Sequence, residues 1–279
     1  MNTKKSEHKN LIQFFVLTFI ISWILWIPSL LKSNGFPNLP DIVGLPGMFA
    51  PFGPAIAAFW LTWRQSGRMG VKKLWKRGWS LDFNKKWLLP AIFLMPMISL
   101  VTVGVITLMG KSIPWEYGVL LPALVPTFFF IYLLNALPEE YGWRGYALGR
   151  MLGHRTALTA SLILGAIWGF WHLPLHFIEG SVQSNIPVYQ FILQQMVLAI
   201  FYTWLFNNTR GAVSVAVLFH TMGNIMGAAV PFWTTEEGRW IGFGVQVVFA
   251  ITIILIWGPK HLNRSLPDRY MPVPDETKN

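Results

Sequence analysis

The stretch YGVLLPALVPTFFFIYLLNALPEEYGWR, residues 117–144, decides how the chain is to be read. Through Leu137 it holds no charged residue, and it then runs into Glu139-Glu140-Tyr141-Gly142-Trp143-Arg144. A helix needs about 20 apolar residues to cross the hydrocarbon of a bilayer, so the first part reads as a membrane span. An ionisable side chain at the centre of such a helix costs about 2.5 to 3.5 kcal/mol on insertion scales. Two carboxylates and a guanidinium kept beside a span therefore point to function. The same residues also have a plain structural explanation. Pro138 can open a helix, early carboxylates suit its positive end, and Glu140 with Arg144 makes an ordinary i,i+4 pair. The stretch alone leaves the two readings level.

Composition extends the membrane reading to the whole chain. Of 279 residues, 53% are hydrophobic and 12% charged, where a soluble domain carries about 25% charged residues. The expected fold class is an all-α polytopic membrane protein of about eight transmembrane helices, its active site within the helix bundle. Charge-poor stretches recur at 11–31, 43–63, 87–109, 117–137, 156–178, 187–206, 211–234 and 240–258. The second, broken by Pro46, Pro51 and Pro54, is expected to be kinked or partly re-entrant. No soluble domain, long linker or internal repeat is evident, so residues 1–279 read as a single integral membrane domain. The first apolar stretch is too long for an ordinary signal-peptide core and lacks a small-residue cleavage site.

Placing both termini in the cytoplasm puts 19 of the 22 Lys and Arg residues inside, the asymmetry that orients membrane proteins. The formal net charge of +10 thus belongs to short loops beside spans rather than to a nucleic-acid groove. In the loop 64–86, basic residues alternate with Leu74, Trp75 and Trp79. That pattern fits an interfacial helix on an anionic leaflet and fits a solvated positive-inside loop equally well. The tail from Pro259 is polar and punctuated by proline, which predicts little order. There is no cysteine, which rules out disulfides, thiolate catalysis and cysteine-bound metals.

Three of the six histidines lie within apolar stretches: His172, His176 and His220. His172 and His176 stand four apart, but Pro174 between them disturbs the shared helix face. His220 opens His220-Thr221-Met222-Gly223-Asn224. Residues four apart share a face, so imidazole and carboxamide point together, and both can donate to a developing oxyanion. A lone histidine in a span is more often an interhelical hydrogen-bonding residue; three, with two carboxylates available, favour a site. Gly165 and Gly169, and again Gly223 and Gly227, form GxxxG pairs, which predicts tight packing of both histidine-bearing helices. Zinc-protease HExxH, serine-hydrolase GxSxG and Walker signatures are missing.

Taken in order, Glu139-Glu140-x-x-x-Arg144, Trp168-x-x-x-His172 and His220-x-x-x-Asn224 resemble the motifs of the CPBP family. These are the CAAX-protease and bacteriocin-processing intramembrane proteins, among them the Rce1-type prenyl-protein endopeptidases and Abi proteins. The second motif often begins with Phe, so Trp168 is a mild departure. The resemblance covers about residues 117–230 and the eight-span layout. It implies proteolysis within the membrane, near its cytoplasmic side and, for a bacterium, in the plasma membrane. The substrate would be a membrane-associated or lipidated protein or peptide cut near its C-terminus. In that scheme Glu139 and His172 activate a water, His220 and Asn224 stabilise the oxyanion, and Glu140 and Arg144 support the site.

Whether zinc takes part stays open on the sequence. Glu139, His172 and His220 are ligand types that zinc accepts, as a metalloprotease would require, and a glutamate–water mechanism needs no metal. Two other readings compete with the enzyme. A non-catalytic immunity or scaffold protein of the same fold would be favoured by loss of Glu139 or His220, yet both are present. A proton-coupled transporter is disfavoured because the polar residues show no inverted-repeat symmetry. The motifs also set a geometric puzzle: straight spans would hold Glu139 and His172 apart. Extension of span four past Pro138 as a bent helix is the expected resolution.

Overall fold

The computed structural model describes residues 2–118 and 121–264, so the tail beyond Arg264 lies outside the described residues. Every regular element among them is helical, and eight helices overlap the eight apolar stretches, α2 only in the second half of its stretch. They are α1 (Asn2–Ser33), α2 (Gly53–Arg77), α3 (Leu88–Leu108), α4 (described below), α5 (Ala157–Trp171), α6 (Val188–Asn208), α7 (Val213–Ala229) and α8 (Glu236–Trp257). Among the described residues, six helices are long and apolar enough to cross a membrane, and Val213–Ala229 is a shorter apolar helix. The chain is an integral membrane protein of the all-α class.

Span four is the element that positions the site. Leu121–Ile131, Tyr132–Ala136, Leu137–Gly142, Trp143–Leu148 and Gly149–Leu152 follow without a break as α4, with Tyr132–Ala136 and Trp143–Leu148 wound as π-helix. The first π turn explains how the helix passes Pro138. A proline ring collides with the carbonyl four residues back and offers no N–H. Just ahead of it, the Leu137 N–H reaches the Tyr132 carbonyl five residues back, the wider winding that accommodates such a defect. The expected extension of span four past Pro138 is what the structure shows.

Close approach at Gly142 draws α2 against α4. A Cβ added at Gly142 would lie 2.4 Å from the Pro54 Cβ. The second span is kinked, as its prolines predict: Asp41–Phe52 is 3-10 helix before α2 begins. Gly67, at φ 58° and ψ −156°, bends α2 again. The helical part of the 64–86 loop is anchored along one side, while its Lys72, Lys73 and Lys76 side remains exposed. Leu74 is buried, Trp75 stacks on Tyr141 at 5.8 Å, and Arg77 donates to the Gly145 carbonyl at 2.7 Å and to the Gly211 carbonyl at 2.9 Å. The segment is docked on α4 and on the start of α7.

The two GxxxG pairs behave differently. A Cβ at Gly165 would come within 2.6 Å of Gln195 O and Met196 Cα, and one at Gly169 within 3.0 Å of Ile192 Cα. On α7, the nearest atom to a Cβ at Gly223 is Met95 Cγ at 3.7 Å, and Gly227 has nothing within 4 Å. Tight packing through GxxxG therefore holds for α5 against α6. On α7 the expectation fails, because neighbouring backbone never comes close to those glycines.

Candidate active site

Adjacent residues on a helix point about 100° apart, so α4 aims its two carboxylates at two different partners. Glu139, 2% exposed, faces α5, where the Trp168 indole Nε1 donates to its Oε2 at 2.9 Å. Glu140 is fully buried. Its Oε1 accepts from Arg144 at 2.9 Å and stands 2.9 Å from His220 Nδ1 on α7. The i,i+4 pair of Glu140 and Arg144 is thus real, but it has a third member from a distant part of the chain. Arg144 is itself buried, and its guanidinium lies over the Tyr202 ring at 3.7 Å and over the Trp168 ring at 4.5 Å. A buried cation persists only with such company: a carboxylate and aromatic faces whose quadrupoles favour positive charge.

His172 sits where α5 ends. The chain turns into the 3-10 segment Leu173–Phe177, with Pro174 in its first turn. The ring Nδ1 of His172 lies 2.8 Å from the Trp168 carbonyl. A carbonyl only accepts, so Nδ1 carries the proton and Nε2 of the neutral ring presents a lone pair. Trp168 therefore serves both sides: its indole holds the Glu139 carboxylate and its carbonyl orients His172. Its ring centre is also 5.6 Å from that of His220.

His220 and Asn224 stand one turn apart on α7, as their spacing requires. His220 is buried and Asn224 is exposed, so the constellation opens to the surface on the Asn224 side. The Asn224 Nδ2 donates to Asn135 Oδ1 on α4 at 3.0 Å. Glu139, Glu140, Arg144, His172, His220 and Asn224 are thus gathered by α4, the end of α5 and α7. His176 is not among them, because the turn at Pro174 sends it to the Ile186 carbonyl at 2.9 Å.

Two contributors escaped the sequence reading. Asn135 carried a visible signal, a carboxamide one helical turn before Glu139 in an otherwise apolar run. Tyr202 carried none, since its role under Arg144 exists only once α6 packs into place. The ligand set offered for zinc, Glu139, His172 and His220, does not fit that ion in this arrangement. Among the described residues no three His, Asp or Glu side chains converge closely enough to hold a metal, and the Nδ1 of His220 is turned to Glu140.

Comparison with known proteins points to the same region. A family model described as type II CAAX prenyl endopeptidase Rce1-like matches residues 121–226, from the start of α4 to the last turns of α7, and all three motifs lie inside it. CAAX prenyl protease 2 of Methanococcus maripaludis is 28% identical over 254 residues, spanning 87% of this chain and 92% of the relative. The chain thus resembles the Rce1-like CAAX prenyl endopeptidases through residues 121–226, where all three motifs lie in order, and its similarity to the archaeal relative runs over most of its length.

Proposed function

We propose that the chain is a glutamate-dependent intramembrane endopeptidase that cuts near the C-terminus of a membrane-associated or lipidated protein. The observation that supports this most directly is the contrast in partners at the two carboxylates. Glu140 is tied to Arg144 and His220, whereas Glu139 meets one neutral donor through a single oxygen. Its second oxygen is the one suited to take a proton. The prenyl-protease name of the archaeal relative supports the substrate class, and the charge asymmetry of the loops supports cytoplasmic termini.

The chemistry follows from the side chains. A water hydrogen-bonded to Glu139 and to Nε2 of His172 gives one proton to Glu139 as its oxygen attacks the scissile carbonyl carbon. The new C–O bond leaves a negative oxygen, toward which Asn224 turns an N–H and His220 its Nε2. For Nε2 to donate, both ring nitrogens of His220 carry protons, and the Glu140 carboxylate is the counter-ion at Nδ1. Arg144 keeps Glu140 in place and balances its charge. On collapse the C–N bond breaks, and Glu139 returns its proton to the departing nitrogen, giving an acid and an amine. Donors fixed in a site withheld from water favour this developing charge more than the same donors would in water.

The test is cleavage of a panel of lipidated and plain peptides by purified wild type and by Glu139→Ala. Cleavage by wild type alone is expected, with lipidated peptides preferred. Cleavage undiminished in Glu139→Ala would remove Glu139 as the base, and no cleavage by wild type would favour a non-catalytic scaffold of the same fold.

A further inference from the structure

The bonds between α4 and α7 run in opposite senses along the chain. Glu140 meets His220, while the earlier residue Asn135 meets the later residue Asn224. The two helices are therefore antiparallel, and one turn along the bundle moves from the Glu–His contact to an Asn–Asn contact. Asn224 follows His220 by four residues on α7, and Asn135 precedes Glu140 by five on α4, where the π turn Tyr132–Ala136 widens the repeat, so each carboxamide lies over its helix's member of the Glu–His contact. The pair is a second polar layer stacked on the first.

A carboxamide has two faces of opposite character, an oxygen that accepts and a nitrogen that donates twice. Asn224 serves an oxyanion only if the nitrogen faces the reacting carbonyl. Rotated by half a turn, it would present its oxygen and repel the charge. The structure gives it a reason not to rotate. One N–H of Asn224 is held by Asn135 Oδ1 at 3.0 Å, which commits the nitrogen to this side and leaves the second N–H for the substrate. Asn135 is placed for this by the π turn Tyr132–Ala136, the same irregularity that carries α4 past Pro138.

We infer that Asn135 is a positioning residue for peptide-bond hydrolysis, fixing the Asn224 carboxamide with its free N–H toward the oxyanion. This rests on the reading of Asn224 as an oxyanion donor. A bond that merely tied two helices together would affect the amount of folded protein and leave turnover per folded molecule unchanged. A positioning bond lowers kcat and leaves KM nearly as it was, because the oxyanion exists only in the transition state.

The experiment measures kcat and KM for Asn135→Ala, Asn135→Leu, Asn135→Gln, Asn224→Ala and the double variant Asn135→Ala/Asn224→Ala. Each is normalised to folded protein in detergent. Loss of one oxyanion donor costs roughly 100- to 1,000-fold in kcat, and loss of its orientation alone is expected to cost about tenfold. Asn135→Leu provides the same test if the alanine variant folds poorly, and Asn135→Gln, which keeps the acceptor oxygen, should recover part of the loss. In the double variant, removing Asn135 should cost nothing beyond Asn224→Ala. Wild-type kcat in Asn135→Ala and Asn135→Leu, or losses that multiply in the double variant, would overturn the inference while Glu139 remained essential. Absence of cleavage by wild type would instead take down the protease reading and the inference with it.

Discussion

Glu139 and Glu140 are neighbours in sequence and alike in burial, 2% and 0% exposed, yet they live in different chemical worlds. Glu140 is held between a guanidinium and an imidazole. Glu139 has an indole N–H at one oxygen. A helix that turns about 100° per residue is enough to give one carboxylate to α7 and the other to α5. The lesson is that a motif with two acids does not name its base; the charges of the partners do. Under the proposed mechanism, a carboxylate engaged with a guanidinium and an imidazole is held in place, while one with a neutral donor keeps a lone pair for a proton.

Exchanging each carboxylate for its amide separates the two roles. Glu139→Gln keeps shape and one hydrogen bond but cannot take a proton, so turnover should fall about 100- to 10,000-fold. Its unfolding midpoint in detergent should stay close to wild type. The reverse pattern is expected of the neighbouring ion pair. Arg144→Ala leaves Glu140 buried without its charge partner, a loss of about 3 to 5 kcal/mol, visible as a lower unfolding midpoint and less folded protein. Replacing both, as Glu140→Leu/Arg144→Leu, should destabilise less than Arg144→Ala alone, since neither a carboxylate nor a guanidinium is then buried without its partner. If Glu139→Gln unfolded early and Arg144→Ala did not, the assignment of base and scaffold would have to be exchanged.

A smaller effect tests the bridge between α4 and α5. Trp168→Phe keeps a ring for Arg144 and the carbonyl for His172 but deletes the N–H that holds Glu139. A hydrogen bond to a charged group is worth about 1.5 to 3 kcal/mol, so a fall in kcat of roughly ten- to a hundredfold is expected, with KM little changed. Steady-state kinetics on the best peptide of the panel decides it. An unaltered kcat would mean that Glu139 is oriented by its own helix alone.

Much of this arrangement could be read from residue types and spacing. Apolar runs marked the main helices, six of them among the described residues long and apolar enough to cross a membrane, and i,i+4 spacing paired Glu140 with Arg144 and His220 with Asn224, because such features are local. Pro138 announced a defect, and its resolution by a π turn follows from the carbonyl that a proline ring must avoid. What stayed hidden depends on packing between distant parts. Tyr202 beneath Arg144, Arg77 bonded to the Gly145 and Gly211 carbonyls, and Trp168 donating to Glu139 are contacts across helices that no local period encodes. The zinc set shows the same limit: residue types suggest ligands, but packing decides whether they converge, and among the described residues no three His, Asp or Glu side chains do.

The two GxxxG pairs carry this point to its smallest measurable effect. By pattern, Gly165 and Gly223 are equivalent, each opening a pair on a helix that bears a site histidine. In the structure a Cβ at Gly165 runs into Gln195 O and Met196 Cα at 2.6 Å. Those are backbone atoms of α6, so the clash can be relieved only by moving a helix. Overpacking of that kind costs about 1 to 3 kcal/mol, and Gly165→Ala should lower the unfolding midpoint in detergent. At Gly223 the nearest atom is the Cγ of Met95 at 3.7 Å, an ordinary contact with a flexible chain. Alanine is also the better helix former, by about 1 kcal/mol in helix interiors. Gly223→Ala should therefore leave the midpoint unchanged or raise it slightly. Equal destabilisation by both substitutions would mean that α7 is approached by backbone as closely as α5, and that the open face beside Asn224 is closed in the membrane.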